Sequence, residues 1–438
     1  MNISRRKFLM KTMGVAGAFA LMDTLRLAKA TSATPLYTDR YFVFANFLGG
    51  WDAILTTDPK DPELYNDTEL TVAEYGVETG YSALGLDPDP RIFTDVEDLI
   101  LGPYIGGLEN FANRISVVRG MTVTSVAHVA AQMHLFTGKV PAGLGPRASS
   151  IATILASILG AEQLIPNLVA GVPSYNLDRP SWASALKADR MSDLQDLLSP
   201  GLSALDIAER DALDEFFERE AARMDTPRMG SIFDNRELSR GLIEENVAED
   251  FSILNPALDT AVENLGNTTA LMAYQALTQG YSRCVSFKAM PFSDAHNGSF
   301  WRNLHRWHLQ GGFNQVAALA AELEATPYPT GGSWLDKTTI ICCSEFNRSP
   351  FLNQTGGRDH AATNSCLLLG GGIAGGKVIG ASHAKNMAAQ AIDLQTGAVD
   401  ENGSTVSVEN IAATLIKSLG IEEDIGDYRV PTIDALLV

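Results

Sequence analysis

The chain has 438 residues and a formal net charge of −19, and 45% of its residues are hydrophobic. A surface this acidic repels polyanions, so the composition argues against nucleic acid and anionic lipid as binding partners. The length and the hydrophobic content are sufficient for a large buried core, larger than one small domain needs.

The amino terminus has the pattern of an export signal. Arg5 and Arg6 precede an apolar stretch at 12–22, and small residues lead up to Ala30. The apolar stretch is too short to span a bilayer, so the pattern predicts a signal peptide at 1–30 that is cleaved after Ala30. The arginine pair predicts the twin-arginine pathway, with the twin-arginine translocase as partner during export and the periplasm or the medium as destination.

Removal of this signal makes the protein still more acidic. Residues 1–30 carry a net charge of +5, so the mature chain would carry −24. An anionic substrate would then need a locally positive site, formed by a metal or by arginine. We expect no stable membrane anchor, because no later segment is long and apolar enough to cross a bilayer.

The segment after the signal alternates between strand and helix patterns. Strands are predicted at Tyr41 to Phe47, Ile115 to Val118 and Pro166 to Val172, and helices near Leu108 to Ala112, at about Val129 to Thr137 and at Ile151 to Leu159. This alternation is typical of an α/β fold.

The middle of the chain changes to helical periodicity, with long amphipathic stretches at 202–224 and 254–277. We interpret the region at about 191–278 as a helical insertion into the domain. Strands return at Cys284, Thr338, Cys366 and Val378. A last helix, Val406 to Leu419, precedes Gly420, which supplies a left-handed stop. Residues 31–438 are therefore predicted to form one α/β domain with one insertion.

Acidic and histidine side chains follow three of the predicted strands. They are Asp52, then Asp294 and His296, then Glu345, Asp359 and His360. In α/β sheets, ligands gather where loops leave the carboxyl ends of the strands. Carboxylates and imidazoles brought together there are what a hydrolytic metal centre needs. A single aspartate at a strand end is usually a turn or a helix cap, but three such sites make a metal centre an equal alternative.

Other polar motifs have competing interpretations. Ser125 and His128 precede a helix, where a side chain either meets an anion or caps the helix. Arg348 and Arg358 are candidate anion clamps or plain surface arginines. The remaining histidines are expected to be core or surface residues; they are His134, His305, His308 and His383.

Two further patterns exclude specific functions. Residues 371–377 almost match a phosphate-binding loop, but Val378 has no hydroxyl for magnesium and begins a strand pattern, so no nucleotide site is expected. The four cysteines all lie in predicted strands, without a zinc-type spacing. We expect them to be buried thiols, with Cys342 and Cys343 on opposite faces of one strand.

Taken in order, the motifs resemble those of one family. They are Gly49-Gly50-Trp51-Asp52, His128 through Thr137-Gly138, Asp294-Ala295-His296, Ser344-Glu345-Phe346-Asn347-Arg348 and Gly356-Gly357-Arg358-Asp359-His360. The chain resembles the domain-of-unknown-function 1501 family of twin-arginine-exported bacterial proteins, which is grouped with the alkaline phosphatase and sulfatase superfamily. The resemblance implies a three-layer sandwich around a mostly parallel sheet. It also implies one or two divalent metals at the strand ends, where a nucleophile attacks a phosphate or sulfate ester.

The resemblance assigns roles to individual residues. Asp52 resembles the first metal ligand, and Asp294 and His296 resemble the ligands in the middle of the chain. Glu345 stands where a late Asp-His pair is expected, and that pair, Asp359 and His360, comes later in the chain. His128 stands at the nucleophile's position, where Ser, Thr or Cys is expected, and a histidine there can ligate metal, act as a base or accept a phosphoryl group.

Two functions follow as hypotheses. The first is an exported hydrolase of an anionic ester, with His128, Arg348 and Arg358 as catalytic residues and a zinc, calcium, magnesium or manganese site. The metal ligands would be Asp52, Asp294, His296, Glu345, Asp359 and His360. The second is a non-catalytic periplasmic binding or assembly protein that retains a degenerate metal site.

Overall fold

The computed structural model describes residues 39–86, 88–198, 247–251, 269–421 and 425–438, together with positions 212, 215, 216 and 219. The predicted signal peptide at 1–30 lies outside the described residues. Most of the predicted helical insertion also lies outside them.

Eight strands of the described chain form the main sheet. They are β1 Tyr41–Asn46, β2 Ile115–Thr122, β3 Asn167–Ala170, β4 Leu186–Lys187, β5 Cys284–Lys288, β6 Thr338–Cys343, β7 Thr363–Gly370 and β8 Lys377–Ile379. Their order across the sheet is β8-β2-β7-β6-β1-β5-β3-β4. Strand β7 pairs antiparallel with both β2 and β6, while the other pairings are parallel.

Seven α-helices of four or more residues lie within the described ranges. They are α1 Glu69–Tyr75, α2 His128–Thr137, α3 Ile151–Leu159, α4 Met191–Leu198, α5 Thr269–Thr278, α6 Arg306–Ala325 and α7 Val408–Lys417. A helical turn, Gly298–Phe300, and a π-helical turn, Trp301–His305, lead directly into α6. The predicted helix near Leu108 to Ala112 is a kinked 3₁₀ segment, Gly106–Arg114. None of the described helices is both long and apolar enough to cross a membrane.

The core is divided by the sheet into two hydrophobic clusters. Alternate residues of each central strand enter opposite clusters, as the two-residue period of a strand requires; Ile340 and Cys342 belong to one, Ile341 and Cys343 to the other. Helices α5 and α6 pack on the first face, and α2, α3 and α7 pack on the second. The predicted α/β class, with helices on both faces of a mostly parallel sheet, is confirmed.

The predictions of four buried cysteines and of a strand after the glycine-rich residues 371–377 are also confirmed. All four cysteines are buried and free. Strand β7 ends at Gly370, and the glycine-rich turn leads into β8, where a phosphate-binding loop would require a helix.

The direction of the strands decides where the candidate residues meet. Strands β1, β2, β5 and β6 run the same way, so their carboxyl ends share one edge of the sheet. Because β7 runs in the opposite direction, its amino end lies at that same edge. The loops after β1, β5 and β6, the start of α2 and the residues before β7 therefore converge there.

Candidate metal centre

The loop after β1 is held in place by aromatic packing. Phe47 and Trp51 lie with their ring centroids 4.2 and 6.0 Å from that of Phe313 in α6, and all three side chains are fully buried. Burial of each such side chain stabilises the fold by about 1.5–3 kcal/mol. Between them, Gly49 has φ +107°, and a Cβ there would lie 2.3 Å from the backbone of Ser293. The loop after β5 thus packs directly on this glycine.

Three histidines from different parts of the chain meet at this edge, and each has its Nδ1 atom bound to an oxygen. His128 Nδ1 lies 2.9 Å from Glu345 Oε1, His296 Nδ1 lies 2.7 Å from Asp359 Oδ1, and His360 Nδ1 lies 2.7 Å from the carbonyl of Val126. Carboxylates and carbonyls only accept hydrogen bonds, so each Nδ1 carries the proton. In the neutral imidazole the lone pair is then on Nε2.

The three Nε2 atoms surround a single carboxylate oxygen. Asp294 Oδ1 lies 3.5 Å from His128 Nε2, 3.2 Å from His296 Nε2 and 3.3 Å from His360 Nε2. The Nε2 atoms of His296 and His360 are 2.9 Å apart. His128, Asp294 and His360 form a group whose ligand atoms all lie within 4.8 Å of one another.

These distances fit a metal centre. For zinc–nitrogen and zinc–oxygen distances near 2.0–2.1 Å, the edges of a coordination tetrahedron are about 3.3–3.4 Å. His128 Nε2 is also buried without a hydrogen-bond partner. Facing lone pairs on Asp294, His296 and His360 repel one another unless a proton or a cation lies between them, so the arrangement favours a bound cation.

The charge state of the group supports this argument. Burial alone would raise the pKa of Asp294, but the hydrogen bond and charge of Arg348 and the contacts with His360 and His296 lower it to about 2. Burial lowers the pKa of His360, although Asp294 opposes this effect. At neutral pH the site therefore combines an ionised carboxylate with a neutral imidazole, the forms that bind metal.

Glu345 orients His128: it contacts Nδ1 of that imidazole, while Nε2 of the same ring faces Asp294 Oδ1. Its buried carboxylate accepts hydrogen bonds from Gly49 N at 2.9 Å, His128 Nδ1 at 2.9 Å and Gln132 Nε2 at 3.1 Å. Burial alone would raise the pKa of Glu345, but these hydrogen bonds outweigh the effect of burial, so the pKa lies below its usual value. Asp359 likewise accepts a hydrogen bond from His296 Nδ1 at 2.7 Å. Both carboxylates thus lie against imidazole Nδ1 atoms, where a carboxylate orients a histidine, whereas the sequence predicted them as metal ligands.

The two arginines are buried and engaged within the protein. Arg348 lies 2.6 Å from Asp294 Oδ1 and donates to the carbonyl oxygens of Gly49 and Gly50. The guanidinium of Arg358 donates to the carbonyls of three residues. Neither side chain is exposed to receive an anion. Arg348 therefore positions Asp294, which departs from the predicted anion-clamp role.

Asp52 is the partner of Arg358. Its Oδ2 atom lies 3.0 Å from Arg358 Nε and accepts a hydrogen bond from Trp301 Nε1 at 3.0 Å, and both charged side chains are almost completely buried. The structure thus places Asp52 in a buried ion pair beside the centre, while the ligand atoms of the candidate group come from other residues.

Aromatic rings enclose the imidazoles. Phe346 is buried with its ring centroid 4.8 Å from that of His128 and 4.2 Å from that of His360. Phe292 packs on His128 at 4.9 Å and is 48% exposed. Phe292 and Gln132 were not identified from the sequence. Phe292 lies two residues before Asp294, and Gln132 lies four residues after His128 on the same helix, so each had a positional signal.

The other histidines lie outside the donor group. His305 is fully buried, with Nδ1 2.8 Å from Ser293 Oγ, and His308 Nδ1 lies 3.2 Å from the same hydroxyl. His134 is buried against Thr124, while His383 is exposed. These placements agree with core and surface roles.

Comparison with protein families gives one match. Residues 294–426 match the model described as "Protein of unknown function (DUF1501)". The matched segment contains Asp294, His296, Glu345, Asp359 and His360. Over this segment the family resemblance expected from the sequence is confirmed. Among curated proteins, no sequence matches this chain.

Several solved structures are similar at low sequence identity. Ps i-CgsB in complex with k-i-k-neocarrahexaose has a TM-score of 0.40 at 9% identity, over 90% of this chain and 75% of that one. The lipoteichoic acid synthase LtaP from Listeria monocytogenes has a TM-score of 0.38 at 8% identity, over 96% and 82%. The alkaline phosphatase from the Antarctic bacterium TAB5 has a TM-score of 0.36 at 10% identity, over 88% and 99%.

Proposed function

We propose that this chain, whose residues 294–426 match the DUF1501 family model, is a metal-dependent hydrolase that acts outside the cytoplasm on a phosphate or sulfate ester. The observation that carries the proposal is the donor group. Three histidine Nε2 atoms face Asp294 Oδ1, and each of the histidines has its Nδ1 bonded to an acceptor.

The ligand set we propose is His128, Asp294, His296 and His360. Three imidazoles and one carboxylate favour zinc or a neighbouring transition metal over calcium and magnesium, which prefer oxygen ligands. The three imidazoles all face the same oxygen of Asp294, so the four donors support one ion. Bound there, a divalent ion would polarise an ester oxygen and lower the pKa of water in the site.

The surrounding residues prepare the donors for this chemistry. Glu345 holds His128, and Asp359 holds His296, in the tautomer whose Nε2 carries no proton. Arg348 fixes Asp294 and adds a positive charge close to the site. Asp294 and His296 are partly exposed, so an ester can approach from their side. Phe292 is also partly exposed and forms an apolar border next to His128.

The ester class rests on the family resemblance and on charge. An anionic ester is repelled by a chain of net charge −19, and a divalent ion beside Arg348 would provide the local positive charge that offsets this repulsion. Our proposal for export also follows the sequence. The twin-arginine translocase would be the partner during export, with no nucleic-acid partner and no stable membrane anchor in the mature protein.

A non-catalytic periplasmic binding or assembly protein is the second candidate. One observation favours it: the group offers four protein donors, and closed four-ligand sites are typical of structural zinc. In that case the ion would hold the loops after β5 and β6 against α2. A hydrolase would need an additional coordination position or the release of one donor.

Elemental analysis of the purified full chain, combined with assays on a panel of aryl phosphates and sulfates, tests the proposal. We expect about one transition-metal ion per chain and measurable turnover. His128→Ala should reduce turnover by roughly two to four orders of magnitude without loss of folding. His383→Ala, which removes an exposed histidine, is the matched control.

The outcomes separate the two candidates. A chain that holds the ion but hydrolyses neither ester class would refute the hydrolase and leave the structural site. A folded chain that binds no transition metal, even after metal is added back, would refute both.

A further inference from the structure

The loop that carries much of the candidate metal centre begins and ends at a pair of cysteines. Strand β6 ends at Cys343, and Cys366 lies in the first half of β7. Between them lie Glu345, Asp359 and His360. The two cysteines are directly opposite one another in the antiparallel pairing of β6 with β7.

This register gives the geometry of a cross-strand disulfide. Directly opposed residues in an antiparallel pair have Cα atoms about 4.5–5.5 Å apart and side chains on the same face. Disulfides span Cα separations of about 4.4–6.8 Å. The Sγ atoms of Cys343 and Cys366 are already 2.8 Å apart. The other two thiols are not so placed, because Cys342 faces the opposite cluster and Cys284 lies on β5, two strands from β6.

We propose that Cys343 and Cys366 form a disulfide when the protein is in an oxidising compartment, and that this bond closes the base of the loop at 344–365. The two thiols lose two protons and two electrons as the S–S bond forms. A thiol–disulfide oxidoreductase accepts them through its own disulfide, which becomes a dithiol.

The bond would act on the candidate centre through chain entropy. Cross-linking two residues 23 positions apart restricts the unfolded chain and so favours the folded loop. Glu345 follows Cys343 by two residues, and its carboxylate orients His128. Oxidation would therefore stabilise the segment that orients this histidine, without adding a contact to the donors themselves.

Thiol counting on the wild-type full chain tests the proposal directly. The probe is diamide, a small oxidant whose N=N bond takes up the two electrons and two protons to give a hydrazine. After oxidation, denaturation and alkylation, we expect two of the four cysteines to be modified and the intact mass to fall by two hydrogens before alkylation. Proteolysis should release one cross-linked peptide pair containing Cys343 and Cys366, which separates on reduction.

Variants and stability complete the test. Cys366→Ser should abolish the cross-link, whereas Cys284→Ser, which alters a buried cysteine outside the pair, should retain it. The oxidised wild type should also unfold at a higher temperature than the reduced wild type. Four alkylated cysteines after diamide treatment, or a cross-link between any other pair, would overturn the proposal. An unchanged or lower midpoint in the cross-linked protein would overturn the stabilising role of the bond.

Discussion

Replacement of Glu345 by glutamine tests whether the donor group is built to bind metal. The substitution retains the size of a side chain that is completely buried. It removes the negative charge from the carboxylate that accepts hydrogen bonds from His128 Nδ1 and Gly49 N, both at 2.9 Å. His128 would then be held by a neutral acceptor, with a less fixed ring and a less basic Nε2.

The expected magnitude follows from the hydrogen bond that changes. A bond to a charged group contributes about 1.5–3 kcal/mol, and a neutral one about 0.5–1.5 kcal/mol. The difference, about 1–1.5 kcal/mol, corresponds to a change of roughly tenfold in affinity. This lies at the lower end of the ten- to hundredfold range that is typical when an outer partner of a metal-binding histidine is lost. We therefore expect zinc affinity to fall roughly tenfold.

Competition with a chromophoric chelator at pH 7 measures this affinity. Glu324→Gln is the matched control, because Glu324 is an exposed carboxylate paired with Arg114 and lies outside the donor group. Thermal unfolding of the metal-free proteins separates loss of affinity from loss of fold. Unchanged zinc affinity in a folded Glu345→Gln variant would refute the orienting role of Glu345 and weaken the case for His128 as a ligand.

Three further predictions concern export, acid stability and the buried ion pair. Replacing Arg5 and Arg6 together with lysine should abolish periplasmic accumulation, measured by cell fractionation; normal accumulation would exclude the twin-arginine route. Burial would raise the pKa of Asp58, but the charges of Lys60 and Arg119 outweigh this effect and lower it. The ionised Asp58 therefore stabilises the fold above the unfolded pKa near 4, and this stabilisation is lost as the pH falls through the pKa of the folded state. The free energy of unfolding should thus decline more steeply below about pH 4 in the wild type than in Asp58→Asn; parallel curves would contradict this. Asp52→Asn should lower the free energy of unfolding by about 3–5 kcal/mol in urea titrations, because the buried Arg358 loses its opposite charge. The folded variant should still bind the proposed metal; loss of metal at unchanged stability would make Asp52 a ligand.

Local patterns in the sequence determined the elements of the fold. The β-branched run at Thr338 to Cys343 predicts a strand buried on both faces, and the structure contains it with those bounds. The alternation of strands and helices predicts the α/β class, and the two-residue period of a strand places Cys342 and Cys343 on opposite faces. These properties depend on neighbours in the chain, so one sequence is sufficient to determine them.

The sequence also located the candidate site, but not the contacts within it. Asp294 and His296 follow β5, and His360 precedes β7, which runs antiparallel to its neighbours. Strand direction therefore brings all three to the same sheet edge. Whether a carboxylate binds metal or orients a histidine depends on a difference of a few ångströms between side chains on separate loops. That difference is set by packing, and no spacing along the chain contains it.

Only the tertiary structure decided which side chains distant in the chain form pairs. Asp52 and Arg358 are more than three hundred residues apart in the chain and form a buried ion pair 3.0 Å across. Cys343 and Cys366 are opposed because β7 runs antiparallel to β6, a direction that the strand pattern itself does not specify. Pairings of this kind depend on register and on strand direction, which are fixed when the whole chain packs rather than by any local segment.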